Sequence, residues 1–320
     1  GEYNYRRLIQ TSHSFTRDIF ALFRSSVSGL PHAHFKSRPA GIRVFSEADI
    51  QRKAAGIIAW VGLAGMESAK AGSLSYGGQR LLDLGLALAN HPRVLLADEP
   101  LAGLSVAERE RVGNLIKQVS ADIPVLLVEH DIDRVFSLAD HVTVMNEGKV
   151  LLDGTVDDAR NSDAVREIYI GSGTAEVAAS AHHGEVGDPI CVLSGVNVHY
   201  GKSHILHDVG FDIRKGEILA LLGRNGAGKS TLLKSVIGIA PVSAGSIRLD
   251  GQELAGLDPA TIARSGIGYV PQGREIFGRL TVEENLKMGA FYLHGKQVNP
   301  TVGNDKQDVN VWRAQVEYKF

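Results

Sequence analysis

The stretch that most restricts what this chain can fold into is LLGRNGAGKST, residues 221–231, taken with what precedes it. EILALLG (217–223) reads as a buried strand that runs into a glycine-rich loop, and KSTLLKSVIGI (229–239) reads as a helix. Gly223, Gly226 and Gly228 let backbone N–H groups curl around an anion, and the helix presents its N-terminal dipole to it. In this G-x-x-x-x-G-K-[ST] pattern, Lys229 is placed to reach β and γ phosphates and Ser230 to ligate Mg²⁺, with Asn225 and Thr231 in the same phosphate-binding segment. A helix terminus contributes up to ~2 kcal/mol, whereas micromolar nucleotide affinity needs about 8 kcal/mol. The cradle therefore needs partners.

Carboxylates that hold magnesium should follow such a cradle, yet the apolar strand ending in a carboxylate pair, VLLADEP (94–100), lies far upstream. Asp98 closes that strand, where a carboxylate can hold Mg²⁺, and Glu99 can polarise an attacking water. His130 ends the next strand, PVLLVEH, and would point to the same end of a parallel sheet, where ligands gather.

From Gln79 onward helix and strand alternate: QRLLDLGLALAN helix, VLLAD strand, VAERERVGNLIKQVS helix, PVLLVEH strand, DIDRVFSLAD helix. This is the pattern of a parallel α/β core. Ser105 and Glu108 form a capping box for the helix after VLLAD, and HVTVMNEGKVLLDGT reads as a hairpin. Residues 171–189, GSGTAEVAASAHHGEVGDP, are small and polar and read as a linker spanning roughly 24 Å as a flexible coil, or ~65 Å fully extended. His182 and His183 within it have no further ligand nearby and read as linker polarity. Beyond it, ICVLSGVNVHY, DVGFDIRKG, GSIRLDGQEL and IGYVPQ read as strands, and Thr281 with Glu284 caps a helix through VEENLKMGAFY. Residues 294–320 lose periodicity apart from a short helix at their end.

Composition narrows the function classes. A formal net charge of −2 argues against a dedicated nucleic-acid binder, although residues 1–60 carry nine Lys/Arg against four Asp/Glu. That excess reads as a solvated helical face. The single cysteine, Cys191, excludes an internal disulfide and a CxxC metal pair and fits a reducing compartment. No run approaches ~18 uninterrupted apolar residues, so a membrane role would act through a partner.

SLSYGGQR before RVLLADEP before LLVEHD resembles the second half of an ABC-type ATP-binding domain. VHYGKSHILHDVGFDIRKGEILALLGRNGAGKSTLLK followed by IGYVPQGREIF resembles the first half of one. The resemblance implies a P-loop NTPase core of α/β class, with a parallel sheet, an antiparallel β subdomain and a helical subdomain, here in permuted half-domain order. Residues 1–170 would be the C-terminal part of one domain, 171–189 the linker, 190–293 the N-terminal part of a second domain and 294–320 an unassigned tail. It also implies ATP and Mg²⁺ as ligands, Tyr200 as the adenine-stacking aromatic, and Gln272 as a Mg²⁺-sensing residue that couples to a transporter. Ser75 and Gly77 become contacts to a γ-phosphate, and Asp98, Ser230 and Gln272 the metal set. Glu99 and His130 would be catalytic.

VPQGREIFGRLTVEENLKMGA resembles one ATP-binding subunit of branched-chain amino acid importers, and SYGGQR, DEPLAGLS and REIYIG resemble its partner subunit. A fused pair cut at both ends would give this order. Such a protein would be a peripheral ATPase on the cytoplasmic face of the cell membrane. Its partners would be integral-membrane permease subunits, a second ATP-binding subunit or copy and, indirectly, an extracellular substrate-binding protein, with no nucleic acid. A nucleotide-binding module without catalysis and a non-transport ABC ATPase are the alternatives. The chain departs from the family pattern where Tyr76 stands for the first glycine of L-S-G-G-Q, and where AGLS carries Ser105 in place of the usual aspartate. In a tandem assembly each half would need absent sequence; in a self-complementing one Asp98 and Glu99 would sit beside Lys229.

Overall fold

The computed structural model describes residues 47–169, 187–273 and 275–294. The helix Glu47–Trp60 comes first, followed by a 3₁₀ turn at Ala71–Ser73 and the helix Tyr76–Leu88. β1 (Val94–Asp98), the helix Val106–Ser120, β2 (Val125–Glu129), the helix Ile132–Leu138, β3 (His141–Asn146) and β4 (Lys149–Thr155) follow. Two short helices, Val156–Asn161 and Asp163–Tyr169, end this stretch. The second stretch holds β5 (Pro189–Tyr200), β6 (Ser203–Arg214), β7 (Ile218–Gly223), the helix Lys229–Val236, β8 (Val242–Leu249) and β9 (Gln252–Glu253). It continues with the helix Pro259–Ser265, β10 (Ile267–Val270) and the helix Val282–His294.

Strands from both stretches share one six-stranded sheet in the order β10-β1-β2-β7-β3-β4. Every pairing from β10 to β3 is parallel, and β4 closes the edge antiparallel as the return arm of the β3–β4 hairpin. β1 lies between β10 and β2, with Ala97 opposite both Val270 and Leu127; β7 lies between β2 and β3. All residues of β1, β2 and β7 are buried, as expected of parallel strands covered on both faces. Because side chains alternate along a strand, Leu95, Ala97, Val125, Leu127, Ala220 and Leu222 enter one core, formed with the larger helices. Val94, Leu96, Leu126, Val128, Leu219 and Leu221 enter a second core with the helix Lys229–Val236 and the antiparallel sheet β6-β5-β8-β9. Cys191 is buried in β5 within that second core.

The helical layer also draws on both stretches. Ala71 N donates to Leu280 O (2.8 Å), Gly72 N to Gly278 O (2.9 Å) and Val282 N to Ala69 O (3.0 Å). These bonds fasten the segment before the helix Tyr76–Leu88 to the segment before the helix Val282–His294. No described helix is long and apolar enough to cross a membrane.

The α/β class, the parallel sheet, the β3–β4 hairpin and both capping boxes stand as the sequence suggests: Ser105 with Glu108, and Thr281 with Glu284. Several boundaries differ. The helix expected from Gln79 starts at Tyr76 because Ser75 caps it, accepting from Gly78 N at 3.1 Å. The helix expected over 229–239 stops at Val236, since Gly238 takes φ +77° and turns the chain. β2 ends at Glu129, with His130 just beyond it. The end of the expected linker is already structured: Gly187 N donates to Lys215 O (3.0 Å), and Pro189 opens β5 opposite Arg214. The rest of that linker, with His182 and His183, lies outside the described residues, as do residues 1–46 with the whole basic excess and the tail from 295.

Glu217 sits at the entrance to β7 with 2% exposure, and Arg214 N donates to its carboxylate. Burial pushes its carboxyl up to about 7 from an ordinary 4.5. Between those two values the folded chain holds a proton that the unfolded chain has released, so stability falls as pH rises across the window. Wild type is expected to lose up to about 3 kcal/mol of unfolding free energy through this group between pH 4.5 and 7. Glu217→Gln, which keeps the acceptor, should flatten that part of the profile in urea unfolding series.

Candidate functional site

The parallel register brings the C-terminal ends of four strands to one edge. β7 runs into residues 223–228, where Gly226 (φ +86°) and Gly228 (φ +102°) adopt left-handed backbone. A Cβ on Gly228 would lie 2.7 Å from the Leu206 side chain, so both the turn and its packing against β6 require glycine. Gly223 is buried at the end of β7, Arg224, Asn225 and Gly226 are exposed, and Ser230 and Thr231 are half-buried in the first turn of the helix. The hairpin turn of β3–β4 supports the loop from below, with Gly148 N donating to Ala227 O (3.0 Å) and His207 N to Gly148 O (2.8 Å).

Lys229 is 6% exposed, and its Nζ donates to Gly223 O (2.6 Å) and Arg224 O (3.3 Å). Burial lowers its pKa, against the opposing pull of Glu99, Asp98 and Glu129. Asp98 is 3% exposed and has the side chain of Ser230 beside it. Burial raises its pKa, Glu99 raises it further, and Lys229 and Lys234 pull it back. The aspartate of the first stretch and the serine of the second thus come together at this edge.

Glu99 takes φ +48°, a left-handed conformation that costs a non-glycine residue about 1–2 kcal/mol. Its N–H donates to Val128 O (3.0 Å), and its carbonyl accepts from Ala102 N (3.2 Å). Its carboxylate meets side chains from two other strand ends. Gln272 Nε2, just after β10, donates to Oε2 at 2.9 Å, and His130 Nδ1, just after β2, lies 3.3 Å from Oε1. Strain at a residue held in place by its surroundings is a mark of a functional corner.

Asp98, Ser230 and Gln272 offer a carboxylate, a hydroxyl and an amide oxygen, all hard donors. Among the described residues no cluster of three or more His, Cys, Asp or Glu could hold a metal by itself. That set fits Mg²⁺, which uses one or two carboxylates together with substrate phosphates and waters, and the dominance of burial at Asp98 is the electrostatic condition a cation relieves.

Other expected site residues lie apart from this group. Tyr200 stands 47% exposed at the tip of β5, where it pairs with Ser203. The cleft beside Gly226 is lined by Glu147, Gly148, Lys149, His204, Ile205 and His207, and Tyr200 is not one of them. Ser75 and Gly77 hydrogen-bond in their own corner. Glu108 Oε1 accepts from Gly77 N (3.0 Å), while Oε2 accepts from Ser105 N (3.1 Å) and from the Ser105 hydroxyl (2.8 Å). Those bonds, led by the Ser105 hydroxyl, hold the Glu108 carboxyl down at about 2.

The sequence reading missed Glu129. It is fully buried as the last residue of β2, its Oε1 accepts from Leu101 N (3.3 Å), and burial raises its pKa. An acid closing an otherwise apolar run, one position before His130, was the available signal.

The sequence profile described as ABC transporter matches residues 4–102 and 206–320. The high-affinity branched-chain amino acid transport ATP-binding protein BraG of Pseudomonas aeruginosa is 55% identical over 97 residues, 30% of this chain and 42% of that protein. The ribose import ATP-binding protein RbsA 1 of Rhizobium meliloti is 36% identical over 206 residues, 61% of this chain and 40% of that protein. The chain therefore spans about two fifths of the length of these relatives. A solved ATP-binding cassette of an ABC transporter in its ADP conformation matches at 30% identity and a TM-score of 0.37, over 41% of this chain and 53% of that one.

Because burial dominates at Asp98 even against the pull of Lys229 and Lys234, replacing it by a neutral isostere removes a cost that a bound cation would offset further. Asp98→Asn is expected to raise the melting temperature of the ligand-free protein by a few degrees and to abolish any increase on adding Mg²⁺ with nucleotide. Differential scanning calorimetry with and without MgATP reads both.

Proposed function

The chain belongs to the ABC transporter family, and from that premise we propose that it binds and hydrolyses ATP to energise an importer of branched-chain or similar amino acids. The observation that carries this reading is the meeting of Lys229, Ser230, Asp98, Glu99, His130 and Gln272 at one edge of one sheet. Loop amides of residues 223–230 and Lys229 would bind the phosphates, and Asp98 and Ser230, with Gln272, would hold Mg²⁺. Held there, that ion would supply charge neutralisation to the phosphates. Glu99, aimed by Gln272 and His130, would accept a hydrogen bond from the attacking water and orient it, and His130 would keep the Glu99 carboxylate in place. Tyr200 would close over the base from the tip of β5.

Ser75 and Gly77 would serve a phosphate held by a second ATP-binding copy, since within this chain they bond to their own corner. Permease subunits in the membrane would be the mechanical partners, placing the protein on the cytoplasmic face. We read the order of the two stretches as the C-terminal part of one ATP-binding subunit joined through 171–189 to the N-terminal part of its partner. The two separate segments matched by one family profile support that reading.

The amino acid assignment draws on the 55% identity to BraG. Ribose import is the second reading, because the ribose-import relative from Rhizobium meliloti aligns over twice as much of the chain, 61% against 30%. Reconstitution with each class of permease separates the two by which solute is taken up.

Glu99→Gln is expected to lower kcat for MgATP by about 10²–10⁴ while leaving nucleotide affinity within about threefold. Phosphate release and equilibrium ATP binding, measured on the same preparations, test it. Unchanged turnover removes Glu99 from the mechanism, and tight ATP binding without turnover in wild type makes the protein a nucleotide-binding module.

A further inference from the structure

Arg80 is a charged side chain with no part in the chemistry above, yet it is 1% exposed in the middle of the helix Tyr76–Leu88. Its Nη1 donates to Pro271 O (3.0 Å) and Gly273 O (3.3 Å), and its Nη2 donates to Gln272 O. All three acceptors belong to the turn that carries Gln272, whose own amide donates to Glu99. Asp83, one turn along the helix, lies 3.7 Å from Nη1, and the Tyr76 ring lies 5.6 Å from the guanidinium carbon.

A guanidinium is costly to bury unless its donors are met. Here the Nη1 and Nη2 donors are met by backbone of one short turn from the other stretch of the chain, while the buried Nε has no hydrogen-bond partner. The planar fork can serve three carbonyls at once, which a lysine ammonium on a flexible stem cannot reproduce. Backbone carbonyls of a tight turn have little freedom, so the position of the fork dictates where the turn sits. A helix that merely needed to fill space at position 80 would have an apolar side chain there, as at Leu81 and Leu84.

We propose that Arg80 is a positioning residue for the hydrolytic site. It clamps the 271–273 turn so that Gln272 reaches Glu99, and it ties the orientation of the helix capped by Ser75 to the carboxylate that orients the water. A rotation of that helix drags the turn with it and breaks the Gln272–Glu99 bond. The inference rests on the ATPase reading of Glu99 and Gln272.

The test is Arg80→Lys, alone and combined with Gln272→Ala, in steady-state MgATP turnover by the whole chain. The clamp requires that Arg80→Lys lower kcat about tenfold or more with KM within about twofold, and that the double variant lose no more than Gln272→Ala alone. An unchanged kcat, or losses that multiply, overturns it, because a role confined to general stability would not act through Gln272. Native-state amide exchange on the unmodified chain gives a second readout that needs neither turnover nor a folded variant. The amides of Gln272 and Gly273 should open together with those of residues 79–88, as one cooperative unit. Independent opening overturns the clamp. Absence of turnover in wild type, with exchange still coupled, defeats the ATPase reading and leaves the clamp standing.

Discussion

The rest of the structure depends on the parallel pairing of β2 with β7, Val125–Glu129 against Ile218–Leu222. That ladder joins the two described stretches at the middle of the sheet and sets the height at which their strand ends stop. With Val128 opposite both Leu221 and Asp98, the loop after β7, the acid that closes β1 and the histidine after β2 all emerge at one level. β1 against β10 adds Gln272 by the same logic. A slip of one residue in either pairing would turn every side chain of the strand to the opposite face, and both faces are buried in separate cores. Core packing therefore fixes the geometry of the site.

The electrostatics of that edge are strained in a consistent direction. Three carboxylates, Asp98, Glu99 and Glu129, act on the ammonium of Lys229, and burial raises the pKa of Asp98 and Glu129 while lowering that of Lys229. Each of these groups would be better solvated elsewhere. Perturbation by burial plus named charge partners, at the end of a parallel sheet, marks this edge as the candidate functional site, in keeping with the nucleotide and cation proposed for it. The left-handed backbone at Glu99 belongs to the same pattern.

Legibility in the sequence followed the range of the interactions. The strands of the parallel sheet were readable as short apolar runs, and the helices beginning at Val106 and Val282 were readable from Ser105–Glu108 and Thr281–Glu284, because each signal lies within a few residues. The glycine loop, Asp98, Glu99 and His130 were readable for the same reason. The helix Pro259–Ser265 escaped notice at seven residues, although Asp258 caps it and proline opens it. Arg80 and Glu129 could not be assigned partners, since those partners, the 271–273 turn and Leu101, are brought in by tertiary pairing. A linker able to extend ~65 Å permits many arrangements, so the junction of β2 with β7 was not decidable from spacing alone.

The interleaved strand order also shapes how the chain is made. On a ribosome, β1 and β2 emerge before either of their outer neighbours, β10 and β7, has been synthesised. At ordinary elongation speeds of about 5–20 residues per second, the ~90 residues between β2 and β7 keep an apolar strand edge unpaired for roughly 5–20 s. Such an edge is a template for pairing with another chain, and this topology leaves it open for longer than one whose neighbouring strands follow one another.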